Sequence, residues 1–145
     1  MKAVVQRAKS ARVEVEGEIC GQIEQGLVVF VGVCGEDDES NAQKLAQKVA
    51  RLRIFSDESG RFNLSVADVG GAVLLISNFT LCGDARKGNR PNFMAAALPE
   101  KAEILYLQTA KQLENAGLSV QTGSFGADMR VFVENDGPVT IWLET

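Results

Sequence analysis

Behind Gly70 and Gly71 the chain runs Ala72-Val73-Leu74-Leu75-Ile76 without one polar side chain, and then stops at Ser77. Side chains of a strand point alternately to its two faces, so an unbroken apolar run predicts a strand buried on both. The remaining segments supply the cover. From Val13 and Val15, alternating with Glu14 and Glu16, through Ile19–Ile23 to Leu27–Val33, short strand-like stretches are punctuated by Gly17 and Gly26 and read as consecutive antiparallel hairpins. Ala42, Leu45, Val49 and Leu52 then recur at helical spacing, with Asp38 and Glu39 at the positive helix start, and predict a helix from about Ser40 to Leu52. A second helix is expected from Pro99, with Ala102, Leu105, Tyr106, Thr109 and Leu113 on one face and Gly117 as its stop. Ser119–Thr122, Met129–Glu134 and Val139–Leu143 return to β-branched composition. The expected architecture is α+β: largely antiparallel sheet curled into a barrel-like core, with two main helices packed outside. At 145 residues, 46% apolar and 23% charged, with no repeat or low-complexity segment, the chain fits one domain over residues 1–145.

Charge and cysteine usage narrow the setting. Lys2, Arg7, Lys9 and Arg12 interrupt the start, so no apolar run reads as a signal peptide or membrane span. Cys20, Cys34 and Cys82 are odd in number and far apart, which fits reduced, mostly buried thiols and a cytoplasmic location. A net charge of −4 and a pI near 4.9 argue against a general nucleic-acid binder. Any RNA contact has to be local, and two basic clusters could provide it: Lys2, Arg7, Lys9 and Arg12, or Arg86, Lys87 and Arg90. The plain alternative is that these are solvated charges.

The chain contains no histidine. That removes Ser-His-Asp and Cys-His catalysis together with the commonest metal ligand. The cysteines lack the close pairing of a zinc site, and there is no calcium-loop pattern or glycine-rich nucleotide loop. An enzyme of this composition is expected to need no metal or other cofactor and to act through backbone groups, hydroxyls or the substrate itself.

Two segments could carry such chemistry. In Ile76-Ser77-Asn78-Phe79-Thr80-Leu81 a buried strand runs out into hydroxyl and amide residues. Ser, Asn and Thr are favoured wherever a chain turns. The functional alternative is a set of backbone N–H groups aimed into a pocket as an oxyanion hole, each worth about 2.7–4 kcal/mol of transition-state stabilisation. Asn135-Asp136-Gly137-Pro138-Val139-Thr140, between two strand-like stretches, reads by itself as a hairpin turn. Its Gly-Pro pair adds the option of a cis peptide bond.

These two segments are also where the chain resembles the D-aminoacyl-tRNA deacylases, over its whole length. The family's Ser-Gln-Phe-Thr-Leu motif is similar to Ser77-Asn78-Phe79-Thr80-Leu81, and its Asn-X-Gly-Pro-Val-Thr motif is met in full by Asn135–Thr140. Leu52-Arg53-Ile54-Phe55, Lys87-Gly88 with Arg90-Pro91 and Phe93, and Phe125-Gly126-Ala127-Asp128-Met129 are similar too. Asn78 is one methylene shorter than the family's glutamine, which leaves a backbone role untouched. Ser77 and Phe79 argue against the related animal editing enzyme, where both are expected to be replaced.

The resemblance implies an esterase that cleaves D-aminoacyl-tRNA, and glycyl-tRNA mischarged onto tRNA-Ala, while sparing L-esters. It implies a homodimer in which Gly137 and Pro138, joined by a cis bond, enter the partner's site. There their carbonyls hold the α-amino group so that an L side chain meets rigid backbone. It places Ser77, Phe79 and Thr80 in catalysis, with the N–H groups of Phe79 and Thr80 binding the oxyanion, and Asn78 and Met129 beside the substrate at the tRNA 3′ end. The base is either the Thr80 hydroxyl or the terminal ribose 2′-hydroxyl, and the weak nucleophilicity of an unassisted threonine favours the ribose. Two other classes compete: a non-catalytic, oligomeric small-metabolite-binding domain, which leaves the two motifs unexplained, and a thiol hydrolase using Cys82, which lacks a base.

Overall fold

The computed structural model describes residues 1–145. Strand β1 (Lys2–Val15) is the axis of the main sheet. Along one edge it pairs antiparallel with β2 (Glu18–Ile23) and β3 (Gly26–Gly32), and along the other with the last strand, β8 (Arg130–Glu144). Helix α1 (Glu39–Arg51) and the short hairpin β4 (Phe55–Ser56) and β5 (Phe62–Leu64) precede β6 (Ala72–Ser77). A 3-10 turn (Phe79–Cys82), helix α2 (Pro99–Asn115) and β7 (Ser119–Thr122) follow. Strands β3, β6 and β7 pair parallel, so the sheet is mixed. Only those crossovers depart from the antiparallel pattern, because α1 and α2 return the chain to the same end of the sheet between them.

The apolar run behaves as its composition demands. In β6, Val73 and Leu75 enter a core of 23 buried residues shared with both helices, whereas Leu74 and Ile76 enter a second cluster with Val13, Ile23 and Val28. The two-residue strand period thus divides one apolar string between the helix side and the inside of the curl. Curling brings β2 back toward β7: a Cβ on Gly21 would lie 2.6 Å from the Thr122 carbonyl oxygen, so only glycine permits this approach and the sheet nearly closes into a barrel.

Both helices sit where the spacing puts them. Asp38 caps α1, accepting from the backbone N–H groups of Ser40 and Asn41 while Asn41 Oδ1 accepts from Asp38 N–H. The Ser40 hydroxyl and these amides hold the Asp38 carboxyl below its usual range. Ala42, Leu45, Ala46 and Val49 are buried on α1, and Leu105, Tyr106, Thr109, Ala110 and Leu113 on α2. Tyr106 donates its hydroxyl to the Leu75 carbonyl at 2.7 Å, tying α2 to β6. Gly117 ends α2 at φ +86°, and Leu118 N–H closes back on Leu113 O. No helix is long and apolar enough to cross a membrane.

Of the consecutive hairpins expected at the start, only β1–β2 forms as such, since β3 pairs with the first half of β1 and not with β2. The last strand also differs from the hairpin that its composition suggests. Residues 130–144 form a single strand, because both halves pair in the same sense with β1. Gln6 faces Thr140 and Ala8 faces Asn135, so Asp136–Val139 bulges out of the ladder opposite Arg7 alone.

Candidate active site

Strand β6 ends beside β3, with Ser77 opposite Val31, and the Asn78 N–H gives the last bond of this edge to Val31 O at 2.7 Å. The chain then tightens into the 3-10 turn, closed by Leu81 N–H on Asn78 O and Gly83 N–H on Thr80 O. As the first two residues of that turn, Phe79 and Thr80 have backbone N–H groups with no acceptor inside it. The turn stands on the rim of an apolar cavity of about 570 Å³ at the C-terminal ends of the parallel strands. Ser77, Asn78 and Phe79 line one wall; Phe125, Met129 and Val131 line another. The Met129 sulfur lies against Gly123, where a Cβ would stand only 2.6 Å away. Phe79 is exposed and packs edge-on against Phe93, ring centroids 5.2 Å apart.

Four of the residues singled out in the sequence, Ser77, Asn78, Phe79 and Met129, therefore meet at one cavity. Thr80 is exposed and stands outside the lining; its hydroxyl donates to Asn78 Oδ1. A carboxamide oxygen is not a base, so this bond orients the Thr80 hydroxyl without activating it. Gly137 and Pro138 are absent from the cavity of their own chain. They are exposed at the tip of the bulge, joined by a cis peptide bond, with Gly137 at φ +125°.

The bulge is held from beneath by Arg7, which the sequence presented only as one of a basic cluster. Its buried guanidinium donates through Nε to Asp136 O and through Nη1 to Ile54 O, at 3.2 and 2.7 Å, and Nε lies 3.2 Å from Asp136 Oδ2. The Phe62 ring covers it, 5.3 Å from the guanidinium carbon. Asn135 closes the bulge from above, accepting from Val139 N–H through Oδ1 and donating through Nδ2 to Thr140 Oγ1. The signal available was its place on the two-residue strand period of apolar Ala3 and Val5, the face that is buried.

That placement removes Arg7 from the basic cluster, and Arg12 is paired with Glu14 and stacked on Phe132. In the second cluster Arg86 is paired with Asp84, whose carboxyl it holds far below the usual range. Cys82 is buried, its thiol pushed up to about 12 by desolvation, so it is unsuited to be the nucleophile of a thiol hydrolase. Cys34 is also buried, whereas Cys20 is exposed. No three Cys, Asp or Glu side chains gather closely enough to hold a metal ion.

Comparison with known proteins covers the chain from end to end. The D-aminoacyl-tRNA deacylase of Halalkalibacterium halodurans is 58% identical over 145 residues, covering all of this chain and 99% of that protein. Those of Paracoccus denitrificans and Thermus aquaticus are 53% and 54% identical, covering all of this chain and 97% and 95% of theirs. A solved structure described as c-Myc DNA Unwinding Element Binding Protein superposes with a TM-score of 0.94 at 42% identity, over 100% of this chain and 99% of that one. A probable eukaryotic D-amino acid tRNA deacylase shares the fold, with a TM-score of 0.84 at 14% identity over 98% and 97% of the two chains. The family model described as D-Tyr-tRNA(Tyr) deacylase matches residues 4–144, and with near-complete coverage of close relatives the chain belongs to that family.

Proposed function

We propose that this protein is an editing esterase that hydrolyses the bond between a D-amino acid and the 3′ end of its tRNA, in the cytoplasm and as a homodimer. The observation that carries this reading is the pair of N–H groups, of Phe79 and Thr80, at the rim of an apolar cavity in a member of the deacylase family. Water attacks the ester carbonyl, and the oxyanion that develops is stabilised by those two donors. As the tetrahedral intermediate collapses, the carbon–oxygen bond to the ribose breaks and the ribose oxygen takes up a proton, leaving free amino acid and tRNA. The Thr80 hydroxyl already donates to Asn78, which favours the neighbouring ribose 2′-hydroxyl as the group that orients the water.

Gly137 and Pro138 complete the site across the dimer. They are exposed, braced by Arg7 and Asn135, and missing from their own cavity, which is what a group intended for a second copy requires. Their carbonyls hold the α-amino group so that an L side chain is driven into backbone while a D side chain points out. Strong rejection needs such a rigid obstacle, since methyl-sized differences in an adaptable pocket are worth only about 1–3 kcal/mol. Glycine has no side chain to exclude, so glycyl-tRNA mischarged onto tRNA-Ala is the expected second substrate. Deacylation of matched D-, L- and glycyl-tRNA esters by the purified protein tests the reading: D and glycyl esters are cleaved and L-esters spared, and equal D and L rates refute it.

A further inference from the structure

Cys34 and Cys82 are 48 positions apart in sequence, yet their Sγ atoms are 3.1 Å apart in the interior. Each is held by its own element. Cys34 follows β3, with its N–H bonded to Asp37 Oδ2 at 2.6 Å and its backbone bridged to Ala96. Cys82 is the last residue of the 3-10 turn that begins with Phe79 and Thr80. That turn sits hard on Gly32: a Cβ there would lie 2.9 Å from Leu81 Cβ, 3.0 Å from Asn78 O and 3.2 Å from Cys82 Sγ. The two sulfurs therefore face each other across the joint between β3 and the catalytic turn.

Access to them is unequal. Cys34 lines a second cavity, of about 360 Å³, walled by Lys2, Met94 and Glu144, whereas Cys82 does not reach it. A small oxidant meets Cys34 first. Burial, together with the adjoining Cys34, keeps the Cys82 thiol protonated, so Cys82 is not the sulfur that attacks the oxidant first, and its part as resolving thiol rests on its contact with Cys34.

We propose that Cys34 and Cys82 form a reversible disulfide under hydrogen peroxide and that this bond slows the enzyme, an inference that rests on the turn's role in the function proposed above. The Cys34 thiolate attacks one peroxide oxygen and the O–O bond breaks, giving a sulfenic acid and a hydroxide that becomes water. Cys82 sulfur then attacks Cys34 sulfur, the S–O bond breaks, and the hydroxyl leaves with the Cys82 proton as a second water. Two electrons pass from the thiol pair to the peroxide, and an external dithiol restores both thiols by exchange. An S–S bond of about 2.05 Å requires the sulfurs to close by about 1 Å. Cys82 belongs to the same four-residue turn as Phe79 and Thr80, so whatever part of that closure the backbone takes up is passed to their N–H groups. A displacement of about 1 Å in a reacting geometry can cost on the order of 10²-fold in rate.

The test uses the full-length protein carrying Cys20→Ala, which removes the exposed thiol. Peroxide is expected to lower the intact mass by two hydrogens, abolish alkylation of both remaining cysteines and yield a linked Cys34–Cys82 peptide. D-aminoacyl-tRNA deacylation should fall by at least about 10-fold and return with dithiothreitol. Cys34→Ser and Cys82→Ala, each made in the same background, should keep the reduced rate and lose the peroxide response. Sulfinic acid on Cys34 without a link, or a linked protein with an undiminished rate, overturns the inference. A fully reduced protein that hydrolyses no D-ester overturns the functional reading and with it the rate control, and is told apart because the mass reports the link without any activity.

Discussion

Replacing Arg7 by methionine removes the support of the Gly137–Pro138 bulge while retaining most of the buried side-chain volume. The guanidinium makes two hydrogen bonds to backbone carbonyls, to Ile54 O and Asp136 O, from a side chain that is only 10% exposed. Hydrogen bonds from a charged donor are worth about 1.5–3 kcal/mol each, and Arg7→Met leaves both carbonyls without that donor. The Asp136 carboxylate is 34% exposed and hydrates once released, so the ion pair itself adds little. A loss of about 3 kcal/mol follows, which for a chain of this length lowers the unfolding midpoint by about 10 °C. The functional loss should outlast the thermal one. Measured well below either midpoint, D-ester deacylation should fall at least about 10-fold, because the bulge no longer presents a fixed geometry to the partner's cavity. Arg7→Lys keeps the charge but replaces a planar fork with a single ammonium, so it should recover part of the stability and less of the rate. Thermal unfolding followed by circular dichroism, paired with deacylation of D- and L-esters, makes the comparison. A wild-type midpoint together with a wild-type D-ester rate in Arg7→Met would show that Asn135 holds the bulge unaided and that Arg7 has no positioning role.

Gly137→Ala should strongly impair deacylation: φ is +125°, and the new Cβ would stand 2.8 Å from Val139 Cγ2 and 3.1 Å from Arg7 Nη2, so retained wild-type selectivity would exclude the bulge from the site. Thr80→Ala should keep substantial single-turnover activity, since its hydroxyl donates to Asn78 and its proposed part is a backbone N–H; complete loss would restore threonine as the nucleophile. Light scattering at working concentration should give twice the chain mass, and a monomer with full chiral selectivity would mean that Gly137–Pro138 acts within its own chain.

Local pattern made much of this protein legible in one dimension. The string Ala72–Ile76 announced a strand covered on both faces, and the structure sends its alternate residues into two cores. Helical spacing placed Leu45 and Val49 on the buried face of α1, and Leu105 and Leu113 on that of α2, while Pro99 and Gly117 marked where α2 starts and stops. The gathering of Ser77, Asn78, Phe79 and Met129 was readable too, but through family motifs, since turn-forming residues alone do not reveal a cavity. What escaped was everything that depends on which distant segment lies alongside. Asn135–Thr140 has the composition of a hairpin turn, and only pairing of both flanks with β1 makes it a bulge in one strand. Arg7 looks like a surface charge until that bulge and Ile54 close over it, and Cys34 meets Cys82 only because the 3-10 turn folds back onto Gly32. Periodicity records whether a residue is covered, because burial acts on each side chain's own solubility. It carries no record of the neighbour that does the covering, because register and strand partner are decided by the summed packing of the whole chain.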